Sequence, residues 1–198
     1  MKLAIFDKDG TLVEPVSGQT FVQHPEDQQL LPGVAEGLAA MDADGYTLAI
    51  ASNQGGVASG HKTLEDCVAE MFYCMKITEI PRALAAHSYE EDGGAVLSFD
   101  LHEIAPHWGE LTKAKRKFRK PASGMIDAIA SRVLGHRLWH SAFEEILFVG
   151  DRPEDEQAAA AAGVKFMWAD AWRSQNLGIS AAAAKPGSPR SPQPAERS

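Results

Sequence analysis

Short apolar runs recur along this chain and alternate with helical stretches, and this alternation limits the fold more than any other feature. Leu3–Phe6, Tyr46–Ala51, Glu145–Val149 and Val164–Trp168 have the length and composition of buried strands. Ala83–Ala86 and a segment around Ala95–Phe99 read as two shorter ones. Between them lie expected helices. One runs from Gly33 to about Asp44 and ends at Gly45; a second runs from Thr63 to about Met75, with Asp66 completing an approximate capping box. A third spans about Ala122 to Leu134 with Pro121 at or near its first position, and Glu154–Ala162 stops at Gly163. Strands separated by helices must cross over, so the expected fold is α/β, a parallel sheet with helices on both faces.

With 198 residues the chain has room for one domain and a tail. The expected domain is 1–176, with 88–118 an inserted loop region that lacks a clear period. Residues 177–198 are Ala-, Pro- and Ser-rich and are expected to stay disordered. No stretch is apolar enough to span a bilayer, and Met1-Lys2 leads straight into a strand without a secretory signal. Cys67 and Cys74 share a helix face but lie too far apart along it to bridge. A reduced, cytoplasmic setting and no membrane partner are therefore expected. The net charge of −8 argues against a general nucleic-acid coat protein. Against that background, Lys113-Ala114-Lys115-Arg116-Lys117-Phe118-Arg119-Lys120 is a basic run, either a solvated surface or a docking site for a polyanion.

Polar clusters stand where three of the strands end. The first delivers Asp7 and Asp9, one residue apart, into a Gly10-Thr11 turn. Two acids there suit divided labour, one attacking and the other handling protons. The second strand ends in Ser52-Asn53-Gln54-Gly55-Gly56, a hydroxyl followed by glycine-rich backbone that can cradle phosphate. The third ends in Gly150-Asp151-Arg152-Pro153-Glu154-Asp155, an oxygen-rich cluster of the kind Mg²⁺ prefers. Arg119-Lys120-Pro121 adds two cations just before a helix.

In that order the clusters resemble the haloacid dehalogenase-like phosphotransferase superfamily. Asp7-Lys8-Asp9-Gly10-Thr11 is similar to its first motif, Ser52 to its second, Lys120 to its third, and Gly150-Asp151 with Asp155 to its fourth. The resemblance spans residues 2 to about 170. Ser52-Asn53-Gln54-Gly55-Gly56-Val57 with Gly60, and Arg119-Lys120-Pro121 with Gly124-Met125, narrow it to one subgroup. That subgroup holds histidinol-phosphate phosphatases, heptose-bisphosphate phosphatases and polynucleotide 3′-phosphatase domains.

The resemblance implies a Rossmann-like sheet with a minimal cap or none, and a Mg²⁺-dependent phosphomonoester hydrolase working through an aspartyl-phosphate. Asp7 would be the nucleophile and Asp9 the general acid and base. Asp7, the carbonyl of Asp9 and Asp151 would hold the metal, with Asp155 beside them. Ser52, Asn53 and Lys120 would contact the phosphate, and Arg119 the far side of the substrate. A small phosphorylated metabolite of histidinol-phosphate or sugar-phosphate type is the leading substrate, and a nucleic-acid 3′ end is the alternative. A non-catalytic module on the same fold is a second alternative. Relatives of the metabolite branch carry a Cys/His zinc loop before the Arg-Lys-Pro segment. This chain has His87, His102 and His107 there but no cysteine, so no structural zinc is expected.

Overall fold

A computed structural model describes residues 1–57, 59–80, 85–91, 94–98, 118–135 and 141–183. Its strands are β1 (Lys2–Phe6), β2 (Val13–Glu14), β3 (Gln29–Leu30), β4 (Tyr46–Asn53), β5 (Ala85–Glu91), β6 (Gly94–Ser98), β7 (Glu145–Gly150) and β8 (Lys165–Trp168). Its helices are α1 (Val34–Ala43), α2 (Leu64–Thr78), α3 (Gly124–Leu134), α4 (Pro153–Ala162) and α5 (Ala169–Ala183). Six strands form one sheet in the order β6-β5-β4-β1-β7-β8, parallel except for the β5–β6 pair. The α/β reading of the sequence holds.

β1 is central because its side chains are apolar on both faces, with Leu3, Ala4, Ile5 and Phe6 all fully buried. Its alternation divides the interior into two cores. Leu3 and Ile5 join Ala49, Ala51, Ile146 and Phe148 under α3 and α4. Ala4 and Phe6 join Ile50, Leu147 and Val149 under α1, α2 and α5, where Trp172 packs 4.9 Å from Phe6. The chain leaves β1 for β4 on one side and returns to β7 on the other. The chain therefore reverses its direction of travel across the sheet beside β1, where open α/β sheets bind ligands.

Several boundaries differ from the sequence reading. The turn-rich stretch after β1 contains a two-residue antiparallel ribbon, β2 with β3, too small to act as a lid. Its loop is gathered by buried Asp27, which accepts hydrogen bonds from the Ser17 and Gln23 backbone N–H groups and the Ser17 hydroxyl. Pro121 does not open α3. A turn closed by Ala122 N–H on the Arg119 carbonyl intervenes, and the helix begins at Gly124.

Helix α5 carries no capping signal in the sequence. It continues to Ala183, beyond residue 177 where composition places the start of the tail, because the alanines that lower complexity there are strong helix formers. Residues 184–198, the basic residues 113–117, His102 and His107 lie outside the described residues. Among those described, no helix is long and apolar enough to cross a membrane.

Candidate active site

β1, β4 and β7 end side by side, and their parallel register sets Phe6 beside both Ile50 and Val149. The residues that follow therefore meet at one edge of the sheet. The Asp7 N–H still bonds the Val149 carbonyl at 2.9 Å, extending the ladder one residue into the site. Gly10 turns the chain with φ of 83°, and a Cβ there would lie 2.4 Å from Asp151 Oδ2, so only glycine lets these segments touch. Thr11 Oγ1 donates to Asp151 Oδ1 at 3.4 Å.

Lys120 joins the three strand ends. Its buried ammonium lies 2.5 Å from Asp7 Oδ1, 2.7 Å from Asp155 Oδ1 and 2.9 Å from the Ala51 carbonyl, so each of its hydrogens has an acceptor. The Phe148 ring lies beneath it, 5.4 Å away. Asp155 is also held by the Arg152 N–H through Oδ2 at 3.0 Å. It packs so closely on Gly150 that a Cβ there would sit 2.4 Å from its own.

Asn53 ties the end of β4 to the segment that carries Lys120. Its side chain exchanges two 3.0 Å hydrogen bonds with the backbone N–H and carbonyl of Lys120, which presents the lysine to the site. Buried Ser52 stays at the pocket. Its Oγ accepts from Gln54 Nε2 at 2.8 Å, which leaves its own hydrogen to donate elsewhere. Half-buried Arg119 lies against the Gly55 turn, with a guanidinium nitrogen 3.2 Å from where a Cβ on Gly55 would stand.

Asp9 faces a second set of groups, which sequence reasoning left out. Fully buried Lys8 reaches Asp9 Oδ1 at 2.5 Å, and Gln54 Nε2 donates to Asp9 Oδ2 at 3.2 Å. Behind Lys8 stand Gln28 Oε1 at 3.3 Å and Glu70 Oε2 at 4.0 Å; Lys62 pairs with Glu70 at 2.6 Å. One signal was available. Cys67, Glu70, Met71 and Cys74 fall on one helical stripe, and a carboxylate among buried apolar positions demands a partner. Arg173 gave no such signal. From α5 its Nη1 donates to the Gly10 and Thr11 carbonyls at 2.8 and 2.9 Å, bracing the turn that carries both acids.

The two acids are tuned in opposite directions. Burial pushes the Asp7 carboxyl up to about 7 against the pull of Lys120, with Asp155 adding to the rise. Burial also works on Asp9, but the Lys8 ammonium, helped by Lys62 and Gln54, holds it below the usual carboxylate range. Burial raises Asp151. Asp7 and Asp155 hold Lys120 firmly protonated despite its burial. Asp7, Asp151 and Asp155 each bring an oxygen within 4.8 Å of the others, and such a hard-oxygen set fits a divalent cation such as Mg²⁺.

The profile of the polynucleotide kinase 3 phosphatase family matches residues 2–182. The chain belongs to this family of haloacid dehalogenase-like phosphatases. It is also similar to D-glycero-beta-D-manno-heptose-1,7-bisphosphate 7-phosphatase of Pseudomonas putida, at 31% identity over 168 residues, 83% of this chain and 80% of that one. A crystal structure of D,D-heptose 1,7-bisphosphate phosphatase from Bordetella bronchiseptica, complexed with magnesium and phosphate, superposes with a TM-score of 0.54. It is 25% identical, and the match covers 84% of this chain and 79% of that one. The structure of a HAD-like protein from Mesorhizobium loti shares the fold, with a TM-score of 0.56 at 18% identity over 95% of this chain and 90% of that one. This family member is a phosphatase, which removes the non-catalytic alternative.

Proposed function

We propose that the protein hydrolyses a phosphomonoester of a small phosphorylated sugar, a bisphosphate in the first instance, through a phosphorylated Asp7. The observation that carries this is the placement of Asp7 against Lys120 at the end of β1, with Asp9 two residues on and separately held. Asp7 attacks phosphorus. As the bond to the leaving oxygen breaks, its electron pair stays on that oxygen, which takes a proton from Asp9. Asp9 then removes a proton from water, whose oxygen attacks the same phosphorus and frees inorganic phosphate and the Asp7 carboxylate.

Lys120 neutralises negative charge on the phosphoryl oxygens, Ser52 donates to one of them, and Asn53 keeps Lys120 in place. Asp7, Asp151 and the Asp9 carbonyl are the groups that would hold Mg²⁺, with Asp155 supporting through Lys120. When bound, the metal supplies positive charge that offsets the repulsion between Asp7 and a phosphate dianion. The sugar-bisphosphate class rests on the similarity to the heptose-bisphosphate phosphatases. A nucleic-acid 3′ end is the second reading, favoured by the family description.

The test is a side-by-side assay, with Mg²⁺, of a heptose 1,7-bisphosphate, histidinol phosphate, a 3′-phosphorylated oligonucleotide and an aryl phosphate. Highest kcat/KM on the sugar bisphosphate is expected; a preference for the oligonucleotide would move the assignment to the second reading. On the aryl phosphate Asp7→Asn should lose roughly 1,000-fold or more. More than a tenth of wild-type activity in that variant would remove Asp7 as nucleophile.

A further inference from the structure

Lys8 is the unexplained group in this site. It lies between the two acids in sequence, yet its side chain has no exposure and it touches neither Asp7 nor the metal-type cluster. Burying an ammonium costs several kcal/mol unless charge and hydrogen bonds are supplied. Three separate segments supply them here. Asp9 comes from the turn after β1, Gln28 from the edge of the β2–β3 ribbon and Glu70 from α2, and Glu70 is paired in turn with Lys62 from the loop after β4.

Cross-links tie these segments together. Gln28 Nε2 donates to the Glu70 carbonyl at 3.1 Å, and Lys62 Nζ donates to Gln54 Oε1 at 3.4 Å. That second bond orients the Gln54 amide so that its nitrogen meets Asp9 Oδ2. Asp9 is thus gripped at Oδ1 by Lys8 and at Oδ2 by Gln54, while its side chain stays 43% exposed. A carboxylate needed only to form a turn would not require a buried cation behind it.

We propose that Lys8, backed by Glu70 and Gln28, is a positioning residue for Asp9, fixing the plane of its carboxyl group so that it faces the leaving oxygen. This rests on the phosphatase reading above, in which Asp9 is the acid. Lys8 touches no reacting atom; it acts through Asp9.

Leaving groups of graded acidity separate this role from support of the fold. A phenolate that is stable on its own needs little protonation, whereas a poor leaving group needs it in full. The measurement is kcat/KM, with Mg²⁺, for substituted phenyl phosphates running from 4-nitrophenyl to 4-methoxyphenyl. In Lys8→Met we expect a loss of roughly 100-fold on the least acidic phenol but only about threefold on 4-nitrophenol, a steeper dependence on leaving-group pKa. Lys8→Arg should restore much of the shallow slope, and Glu70→Gln should fall between. Should Lys8→Met fail to fold, the Lys8→Arg and Glu70→Gln slopes decide.

An equal loss on every ester would make the buried pair a support of the fold and overturn the proposal. So would unchanged rates on all of them. Asp9→Asn serves as the reference: if its slope matched that of an active wild type, Asp9 would not be the acid and the positioning role would go with it. Wild type inert on every ester would instead sink the phosphatase reading itself, which keeps the two failures apart.

Discussion

Two buried ammonium groups stand on either side of the turn that carries Asp7 and Asp9, and their surroundings are balanced differently. Around Lys8 the charges match: Asp9 and Glu70 against Lys8 and Lys62, with Gln28 and Gln54 filling the remaining directions. Around Lys120 three carboxylates, Asp7, Asp151 and Asp155, face one ammonium, and Arg152 approaches Asp151 only from solvent at 4.0 Å. The Lys8 side is complete as it stands. The Lys120 side carries excess negative charge, which a divalent cation would offset. Burial, with a smaller push from Asp155, raises the Asp7 carboxyl to about 7, while Asp9 stays low. The same residue type, two positions apart, meets two opposite electrostatic surroundings.

The largest effect expected of this contrast is at Lys120. Lys120→Met would leave Asp7 and Asp155 buried against each other without a cation. Activity on an aryl phosphate should fall roughly 100- to 1,000-fold, and stability by about 3 kcal/mol in denaturant unfolding. A variant as stable as wild type would show that the carboxylates had found another partner and that the imbalance is not real.

The next effect is smaller and depends on pH. A carboxyl raised in the folded state contributes stability below its unfolded pKa of 3.8 and loses it as pH rises toward about 7. In metal-free protein, Asp7→Asn should therefore be more stable than wild type above pH 7, on the order of 2 kcal/mol, and the gain should shrink toward pH 4. The Lys120–Asp155 pair remains matched in that variant. Asp9 has the opposite sign: its lowered pKa gives stability above the unfolded value that is lost on acidification, so Asp9→Asn should destabilise at neutral pH. Thermal melts of both variants from pH 4 to 8 check this, and parallel curves would end the comparison.

Gln54 joins the two sides, donating to both Ser52 and Asp9. Gln54→Ala should cost about tenfold in kcat/KM with little change in melting temperature, since the loss of a pair of hydrogen bonds at a pocket is modest. A loss confined to stability would mean that the bridge serves the fold alone.

Much of this site was legible because it is written locally. Asp7, Ser52 and Asp151 follow apolar runs directly, with Asp9 and Asp155 a few residues on, and a parallel sheet gathers the ends of such runs at one edge. Lys120 follows no strand. It stood out through its Arg-Lys-Pro setting, and only the Asn53 side chain, bonded to its backbone, shows how it is delivered. Helix α5 and its Arg173 were invisible for a different reason. An alanine-rich stretch reads equally as helix or as tail until Trp172 is seen packed on Phe6.

Sequence alone thus determined the sheet, its two covered faces and the identity of the charged groups at its edge, because period and strand order are properties of neighbouring residues. It could not determine which charge answers which. Lys8 meets Glu70 and Lys120 meets Asp155 across long stretches of chain, and a pKa depends on burial and distance that exist only once the chain has closed. The opposite tuning of Asp7 and Asp9 was therefore decided by the tertiary structure, which placed an unbalanced cluster behind one carboxyl group and a balanced one behind the other.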